Sequence, residues 1–545
     1  MAQTSTYRGS PIGARALMAG LSACLSACMS ACLWLCLGVL AGCASLPANP
    51  ERTPSYAITD NGDTLLARSL APRLAQNPGQ SIFYPLGAGP DALTARMALA
   101  RAAQKTLDLQ YYSFDADTTG SALLGELIDA ADRGVRVRLL IDDFHTSKQD
   151  KLWAALDAHP NIEVRLFNPF ASRGARWVQL AFDFGRLDRR MHNKQMVVDN
   201  LVGVIGGRNI GDAYFSAKPD LDFSDLDIMV AGPVVPVASK VFDQYWNSES
   251  AYPVAALLPE GKEEPETLRS IRKDIEAKSD LAHASPFVQE LLDSGLAHGI
   301  EAGHLPGYVG TARVIADKPD KIEESPDDPS THAVPRLRAL MEKAQTELVL
   351  VSPYFLPDDN EKWLTGIAAR GVKVRVLTNS FAATDVPAVH AGYVRHREAL
   401  LNAGIDLYEL KPTANAELAR DRGRLSGTFA SSRAALHAKA YVVDRRLLFV
   451  GSLNLDPRSD RLNTEMGVVL DSPALASRLV EDMDKHLSEI AWRVALRKDQ
   501  FGHESLTWTT VEQGKEVTTD KEPGMSVWQH IGIDFLGLLP VEDEL

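Results

Sequence analysis

The chain has 545 residues, too many for one hydrophobic core, so two or more domains are expected. Its 45% apolar and 23% charged residues are the balance of a globular protein. The formal net charge is −14, and removing Arg8 and Arg15, the only charged residues of the first 42, leaves −16 on the rest. Such an acidic body repels phosphate backbones at long range, which speaks against general nucleic-acid binding.

Arg8 and Arg15 form a basic start, and from Ala16 the chain is uncharged and mostly apolar up to "VLAGC" at Val39–Cys43. That is a secretory signal pattern over residues 1–42. "LAGC" resembles a bacterial lipoprotein box with Cys43 as the lipidated first mature residue. The other reading is an uncleaved transmembrane anchor, since the run is long enough to span a bilayer. By resemblance to lipoprotein sorting, Ala44 after the cysteine points to the outer membrane and a periplasm-facing body. All five cysteines, Cys24, Cys28, Cys32, Cys36 and Cys43, lie in this region, so the body has neither a disulfide framework nor a cysteine metal site. Residues 43–80 open with the polar, proline-rich "ASLPANPERTPSYA" and read as a tether.

A first domain is expected over residues 81–250. Ala92–Phe114 predicts an amphipathic helix and then a strand; Leu123–Asp143 predicts a helix stopped at Gly134 and a buried strand. Next, "NPFASRGARWVQLAF" mixes Arg173, Arg176 and Trp177 with apolar residues and is a candidate entrance lip. "HNKQMVVDNLVGVIGGRNIGD" follows, with His192, Lys194, Asp199, Gly206, Gly207 and Asn209. "FSDLDIMVAGP" then carries Asp225, with Asp227 as its rival. Residues 251–330 shift to charged composition and read as an exposed charged helix and a linker.

The second domain, 331–545, repeats the order. Pro335–Phe355 and Trp363–Ser380 give helix, strand, helix, glycine, strand. "HAKAYVVDRRLLFVGSLNLDP" repeats the polar pattern as His437, Lys439, Asp444, Gly451, Ser452 and Asn454, and "LNTEMGVVLDSP" sets Glu465 in register with Asp225. The alternation predicts α/β units with largely parallel core sheets. The chain ends in an apolar segment, Gly524–Pro540, read either as a membrane-docking stretch or as a helix covering the core.

The doubled motif carries the chemistry. On a strand, residues two apart share a face, so His192 lies beside Lys194 and His437 beside Lys439. The glycine pairs let backbone approach a ligand or turn sharply. Asn209 and Asn454 can donate amide hydrogen bonds. Two copies facing each other across a pseudo-two-fold axis would surround a phosphodiester with two imidazoles and two cations. Each imidazole needs a carboxylate to fix its tautomer, the role given to Asp225 and Glu465. Asp199 and Asp444 either join the catalytic set or hold the turn after the strand.

From about Phe83 onward the chain resembles the phospholipase D superfamily, whose hallmark is this doubled His-x-Lys-x4-Asp motif. The resemblance implies two pseudo-symmetric α-β-α sandwich domains sharing one interface active site, with no metal or other cofactor. It also implies a phosphohistidine intermediate, with His192 as nucleophile and His437 as general acid and later base. "RGVRVRLLIDD", "LTNSFAATDVPAVHAGYVRHREALLNAGIDLYELKP" and "GSLNLDPRSDRLNTEMG" are similar to cardiolipin synthases of the third enterobacterial type. Those enzymes move a phosphatidyl group from phosphatidylethanolamine onto phosphatidylglycerol and work with a small accessory protein. By that resemblance His390, Tyr393, Arg395 and Arg397 border the acceptor side; read by themselves they are a surface helix after a loop. The motifs leave open a phospholipase D-type hydrolase, a nuclease and a non-catalytic lipid-binding protein, although both copies are complete.

Overall fold

Helix Thr118–Asp132 starts at Asp117, whose carboxylate accepts the Gly120 N–H at 3.1 Å, and stops before Gly134 at φ 92°. In the second half, helix Asp358–Ala369 stops before Gly371 at φ 87°. Both glycines release the chain straight into a buried strand, as their spacing predicts. The computed structural model describes residues 29–30, 46–47, 52–218, 221–258, 265–302, 307–414, 433–498 and 500–525. Cys43 and all but the first two residues of Gly524–Pro540 lie outside the described residues. No helix among those described is long and apolar enough to cross a membrane.

The chain divides into two compact units, Met1–Ala48 with Phe170–Asp188, and Asn49–Pro169 with Arg189–Leu545. In the smaller unit, helix Arg176–Phe182 runs into the short helix Phe184–Leu187, and Gln179 accepts the Ser172 N–H at 2.9 Å. Trp177, Phe182 and Phe184 are exposed there.

The larger unit holds both copies of the repeat. Its first-half strands are β1 (Ser81–Leu86), β2 (Thr106–Tyr111), β3 (Arg136–Asp142), β4 (Ile162–Phe167), β5 (Gln195–Val198), β6 (Val202–Gly206), β7 (Asp222–Ser224), β8 (Asp227–Ala231) and β9 (Ala251–Pro253). The second half has β10 (Tyr308–Ala316), β11 (Glu347–Val351), β12 (Lys373–Asn379), β13 (Asp406–Leu410), β14 (Ala434–Leu436), β15 (Lys439–Val443), β16 (Leu447–Gly451) and β17 (Met466–Asp471). It ends in β18 (Ala491–Lys498), β19 (Glu504–Glu512) and β20 (Lys515–Thr519). Except for β7 and β14, these strands form one continuous sheet of 18. β1 and β10 pair antiparallel at its centre, with Ser81 opposite Gly310 and Ile82 opposite Val309. Outward from β1 run β8, β6, β5, β2, β3, β4 and β9; outward from β10 run β17, β16, β15, β11, β12, β13 and β18, then β19 and β20. Within each half the neighbours β2–β3–β4 and β11–β12–β13 are parallel.

A strand buried on both faces feeds two cores. Tyr441 and Val443 of β15 join Leu348, Leu350, Val374, Val376 and Leu407 under the second-half helices. Ala440 and Val442 point the other way, into an apolar layer shared with Phe83, Val197, Ile205, Ile228 and Val230 of the first half. Helices Val234–Trp246 and Pro473–Ile490 line that shared layer through Val234, Val235, Ala238, Leu475, Ala476 and Val480.

The expectation for residues 251–330 needs correction. They are not only a linker: β10 lies inside them and supplies half of the central strand pair. Helix Pro265–His283, read as exposed, is docked on Thr118–Asp132. Arg272 reaches Asp132 at 2.8 Å, His283 Nε2 lies 2.8 Å from Glu126, and Gly125 leaves the space Ser279 occupies. Arg272 and His283 of this helix thus meet charges on the first half, while Lys273, Asp274, Lys278 and Asp280 stay exposed.

Candidate active site

The hairpin that follows each His-x-Lys explains the conserved spacing of the motif between the copies. Asp199 and Asn200 have φ 51° and 53°, Asp444 and Arg445 φ 51° and 49°, and Leu201 and Arg446 close the turns onto the Val198 and Val443 carbonyls. Two left-handed residues in succession are the twist that a tight hairpin demands, and Asp tolerates them. The Asp199 carboxylate collects the N–H groups of Gln104, Lys105 and Thr106; that of Asp444 collects those of Gln345, Thr346 and Glu347. These aspartates therefore tie the hairpin to the start of the neighbouring strand. Their carboxylates are spent on backbone, which removes them from the catalytic set in which the motif places them.

The histidines are brought to their carboxylates by backbone pairing between the halves. β7 and β14 form a two-stranded parallel ladder, with Ser224 opposite Leu436. The next residues are Asp225 and His437, and His437 Nδ1 lies 2.6 Å from Asp225 Oδ2. On the other side, Met191 and Thr464 make a single parallel bridge. The next residues are His192 and Glu465, and His192 Nδ1 lies 3.0 Å from both Glu465 oxygens. Each histidine is thus oriented by the carboxylate of the opposite copy. Asp227, the rival of Asp225, is held by Arg96 at 2.9 Å and Arg208 at 3.3 Å and faces no histidine.

Lys194 Nζ donates to the His192 carbonyl at 2.7 Å and Lys439 Nζ to the His437 carbonyl at 2.6 Å, so each cation folds back over its own histidine. Both lysines and both histidines are buried. Burial first, and then Lys439, pull Lys194 well below the ordinary lysine range, with Glu465 opposing; burial also lowers Lys439. Burial, Lys194, Lys439 and His437 hold His192 well below the usual imidazole value. Burial and Lys439 lower His437, against the pull of Asp225. The two carboxylates diverge. Burial pushes Glu465 up to about 7, against Lys194 and the Ser452 hydrogen bond. For Asp225 burial is outweighed by His437, Lys439 and Arg208, which bring it down to about 2. A buried cluster of cations beside neutral imidazoles is starved of an anion, and a phosphodiester supplies one.

The glycine pairs do not form a phosphate loop. The Gly207 and Ser452 N–H groups bond to the Leu226 and Met466 carbonyls, so neither is offered to a ligand. A Cβ at Gly206 would collide with Asp227, one at Gly207 with the Asp225 carboxylate, and one at Gly451 with the Met466–Gly467 backbone. These positions are small so that the carboxylate-bearing strand can approach. Where the first copy has Gly207, the second has Ser452, whose hydroxyl donates to the longer Glu465. Asn209 and Asn454 are buried close by. Asn209 donates to Tyr214 Oη at 2.9 Å and accepts from the Ser113 N–H at 3.2 Å, while Asn454 Oδ1 has no hydrogen-bond partner among the described residues.

Several residues at the site escaped the motif. The Tyr112 ring lies 5.1 Å from His192 and 5.3 Å from Lys194 Nζ, and Tyr112 Oη is 3.0 Å from His145 Nε2. Tyr214 and Phe223 flank His437 at 5.3 and 5.1 Å. The doubled pattern could not reveal them, because Tyr112 and Tyr214 are not repeated. His390, Tyr393 and Arg397 are buried and do not form a surface helix: His390 and Arg397 grip Glu522 at 2.6 and 2.7 Å, and Tyr393 donates to Glu409. Arg395 is exposed.

The family model described as "Cardiolipin synthase, PLD-like domain" matches residues 97–246 and again 337–487, one match per half. Cardiolipin synthase C of Escherichia coli (strain K12) is 41% identical over 487 residues, covering 88% of this chain and 99% of that one. An uncharacterised protein of Helicobacter pylori (strain ATCC 700392 / 26695) is 31% identical over 506 residues, covering 92% and 96%. Among solved structures, phosphatidylserine synthase of Haemophilus influenzae Rd KW20 shares the fold with a TM-score of 0.51 and 15% identity, over 78% of this chain and 92% of that one. With a matching domain in each half and a near full-length relative, the chain belongs to the phospholipase D-like cardiolipin synthase family.

Proposed function

We propose that this chain is a phosphatidyltransferase that forms cardiolipin-type phospholipids through a phosphohistidine. The observation that carries the reading is the reciprocal pairing of each histidine with the other half's carboxylate, over two buried lysines. His192, its Nδ1 engaged by Glu465, is neutral and presents Nε2 as the nucleophile. It attacks the donor phosphorus, the P–N bond forms, and the P–O bond to the leaving alcohol breaks. His437, beside the ionised Asp225, takes up a proton on Nε2 when the anionic phosphodiester enters, and delivers that proton to the leaving oxygen. His437 then takes the proton of the acceptor alcohol, whose oxygen displaces His192 and restores the free enzyme. Lys194 and Lys439 regain full charge against the phosphoryl oxygens in both steps. Hydrolysis would share the first step, with water as acceptor.

Purified full-length protein in vesicles of phosphatidylethanolamine and phosphatidylglycerol tests this by mass spectrometry. Cardiolipin with free ethanolamine or glycerol supports transfer, and phosphatidic acid alone replaces the reading by a hydrolase. A small accessory protein enters only if the purified chain fails to transfer. We further propose that Cys43 is lipidated and holds the body on the periplasmic side of the outer membrane; the expected tether over residues 43–80 needs correction, since Arg52 donates to the Ala251 carbonyl at 2.9 Å, the Ala57 N–H donates to Asp243 at 2.9 Å, and helix Leu65–Gln76 buries Leu66 and Leu70. Acyl chains on Cys43, sought by mass spectrometry of the mature protein, and loss of processing in Cys43→Ser decide this.

A further inference from the structure

The two halves solve one placement problem with different chemistry. β3 and β12 hold equivalent places in the sheet, and their last residues are Asp142 and Asn379. Each binds the main chain one residue before a histidine. Asp142 Oδ2 accepts the Met191 N–H at 2.8 Å. Asn379 Oδ1 accepts the Leu436 N–H at 2.8 Å, and its Nδ2 donates to the Leu436 carbonyl at 3.0 Å. Both side chains are buried.

The difference lies in charge. A carboxylate at Asp142 needs a counter-ion in so dry a place, and Arg190 supplies it, with Nε and Nη2 at 2.8 and 2.6 Å from Oδ1. Two residues before His437, where the first copy has Arg190, stands Ala435, and the partner amide Asn379 is neutral. The charged pair of one half is a neutral pair in the other, and neither half keeps a lone charge. The charged clamp sits where the backbone pairing is weaker. Met191 has a single bridge to Thr464, whereas Leu436 ends a three-residue ladder. Arg190 adds a further link across the halves, its N–H donating to Asn463 Oδ1 at 3.0 Å.

We propose that Asp142 and Asn379 are positioning residues that set the approach of His192 and His437 by fixing the backbone immediately before each, with Arg190 as the counter-charge that allows a carboxylate to do so in the first half. This rests on the reading of the two histidines as nucleophile and acid.

The test uses the full-length protein in phosphatidylethanolamine and phosphatidylglycerol vesicles. Asp142→Ala and Asn379→Ala should lower kcat about 100-fold at unchanged KM, the scale of an ångström-sized misplacement of a reacting group. Arg190→Ala alone and Asp142→Asn alone should both be slow, each leaving one buried charge unpaired. The double variant D142N/R190A copies the second half's solution and should be faster than either single variant. A role in folding only would lower the amount of folded enzyme, seen in circular dichroism, at unchanged kcat per folded molecule. Wild-type kcat in folded Asp142→Ala, or a double variant as slow as the product of its singles, overturns the proposal. If Asp142→Ala does not fold, the double variant against its singles still decides. Controls separate the two readings: activity surviving in both His192→Ala and His437→Ala removes the function itself, whereas their loss beside an active Asp142→Ala removes only the positioning role.

Discussion

Glu465 at about 7 and Asp225 at about 2 flank two histidines that the sequence makes look alike. Burial of the larger carboxylate outweighs Lys194, the Ser452 hydroxyl, Lys321 and Lys439, whereas at Asp225 it is His437, Lys439 and Arg208 that outweigh burial. Glu465 should therefore gain its charge near neutral pH and make His192 a better nucleophile as it does. The expected kcat/KM profile steps upward through about pH 7, and Glu465→Gln should erase the step and keep the lower plateau. Stability gives an independent readout. The folded value of Glu465 lies above its unfolded 4.5, so its contribution is fully present below pH 4.5 and is lost as pH rises through about 7. Thermal melts of Glu465→Gln should consequently vary less between pH 5 and 8 than those of the parent. On the alkaline side, both lysines are held below the ordinary lysine value. The alkaline limb of kcat/KM, which reports free enzyme, should fall below pH 10.5, and the limb of kcat should lie higher, because bound phosphate stabilises the ammonium.

At the scale of elements, the close approach of two strands does what side chains alone could not. Gly207 leaves room for the Asp225 carboxylate directly beneath it, and any Cβ there would push Asp225 off His437. Gly207→Ala should lose activity at least about tenfold while the sheet persists, a split visible by comparing kcat with far-ultraviolet circular dichroism. Beside it, Asp227 neutralises Arg96 and Arg208 in the sheet. Asp227→Ala strands two buried guanidinium groups and is expected to cost about 3–5 kcal/mol in denaturant unfolding. The hairpin aspartates obey a different logic: Asp199 and Asp444 recur because a two-residue left-handed turn and three neighbouring N–H groups both favour Asp.

Across the whole larger unit, the halves share an apolar layer, a central antiparallel strand pair and two crossed histidine–carboxylate bonds. Unfolding followed by tryptophan fluorescence and by activity should give coincident transitions, because losing either half removes a carboxylate from the other's histidine. Two separated transitions would mean that the shared layer does not couple the halves.

The local order of elements was legible in the chain because it depends on short-range signals. Glycines stop helices at Gly134 and Gly371, buried strands are rich in Val, Ile and Leu, and the polar spacing recurs. Those signals also picked out His192, Lys194, His437 and Lys439, and matched Asp225 with Glu465 by register alone. Composition misread β10 and the docked helix Pro265–His283, because a charge run looks solvated until its partners on the first half are seen. Pairing is the part only the tertiary structure decided. Which carboxylate meets which histidine, which aspartate of Asp225 and Asp227 faces the site, and where Asp142 and Asn379 bind all depend on contacts between residues far apart in the chain. A repeat tells that two halves are alike; the sheet that joins them decides that each completes the other.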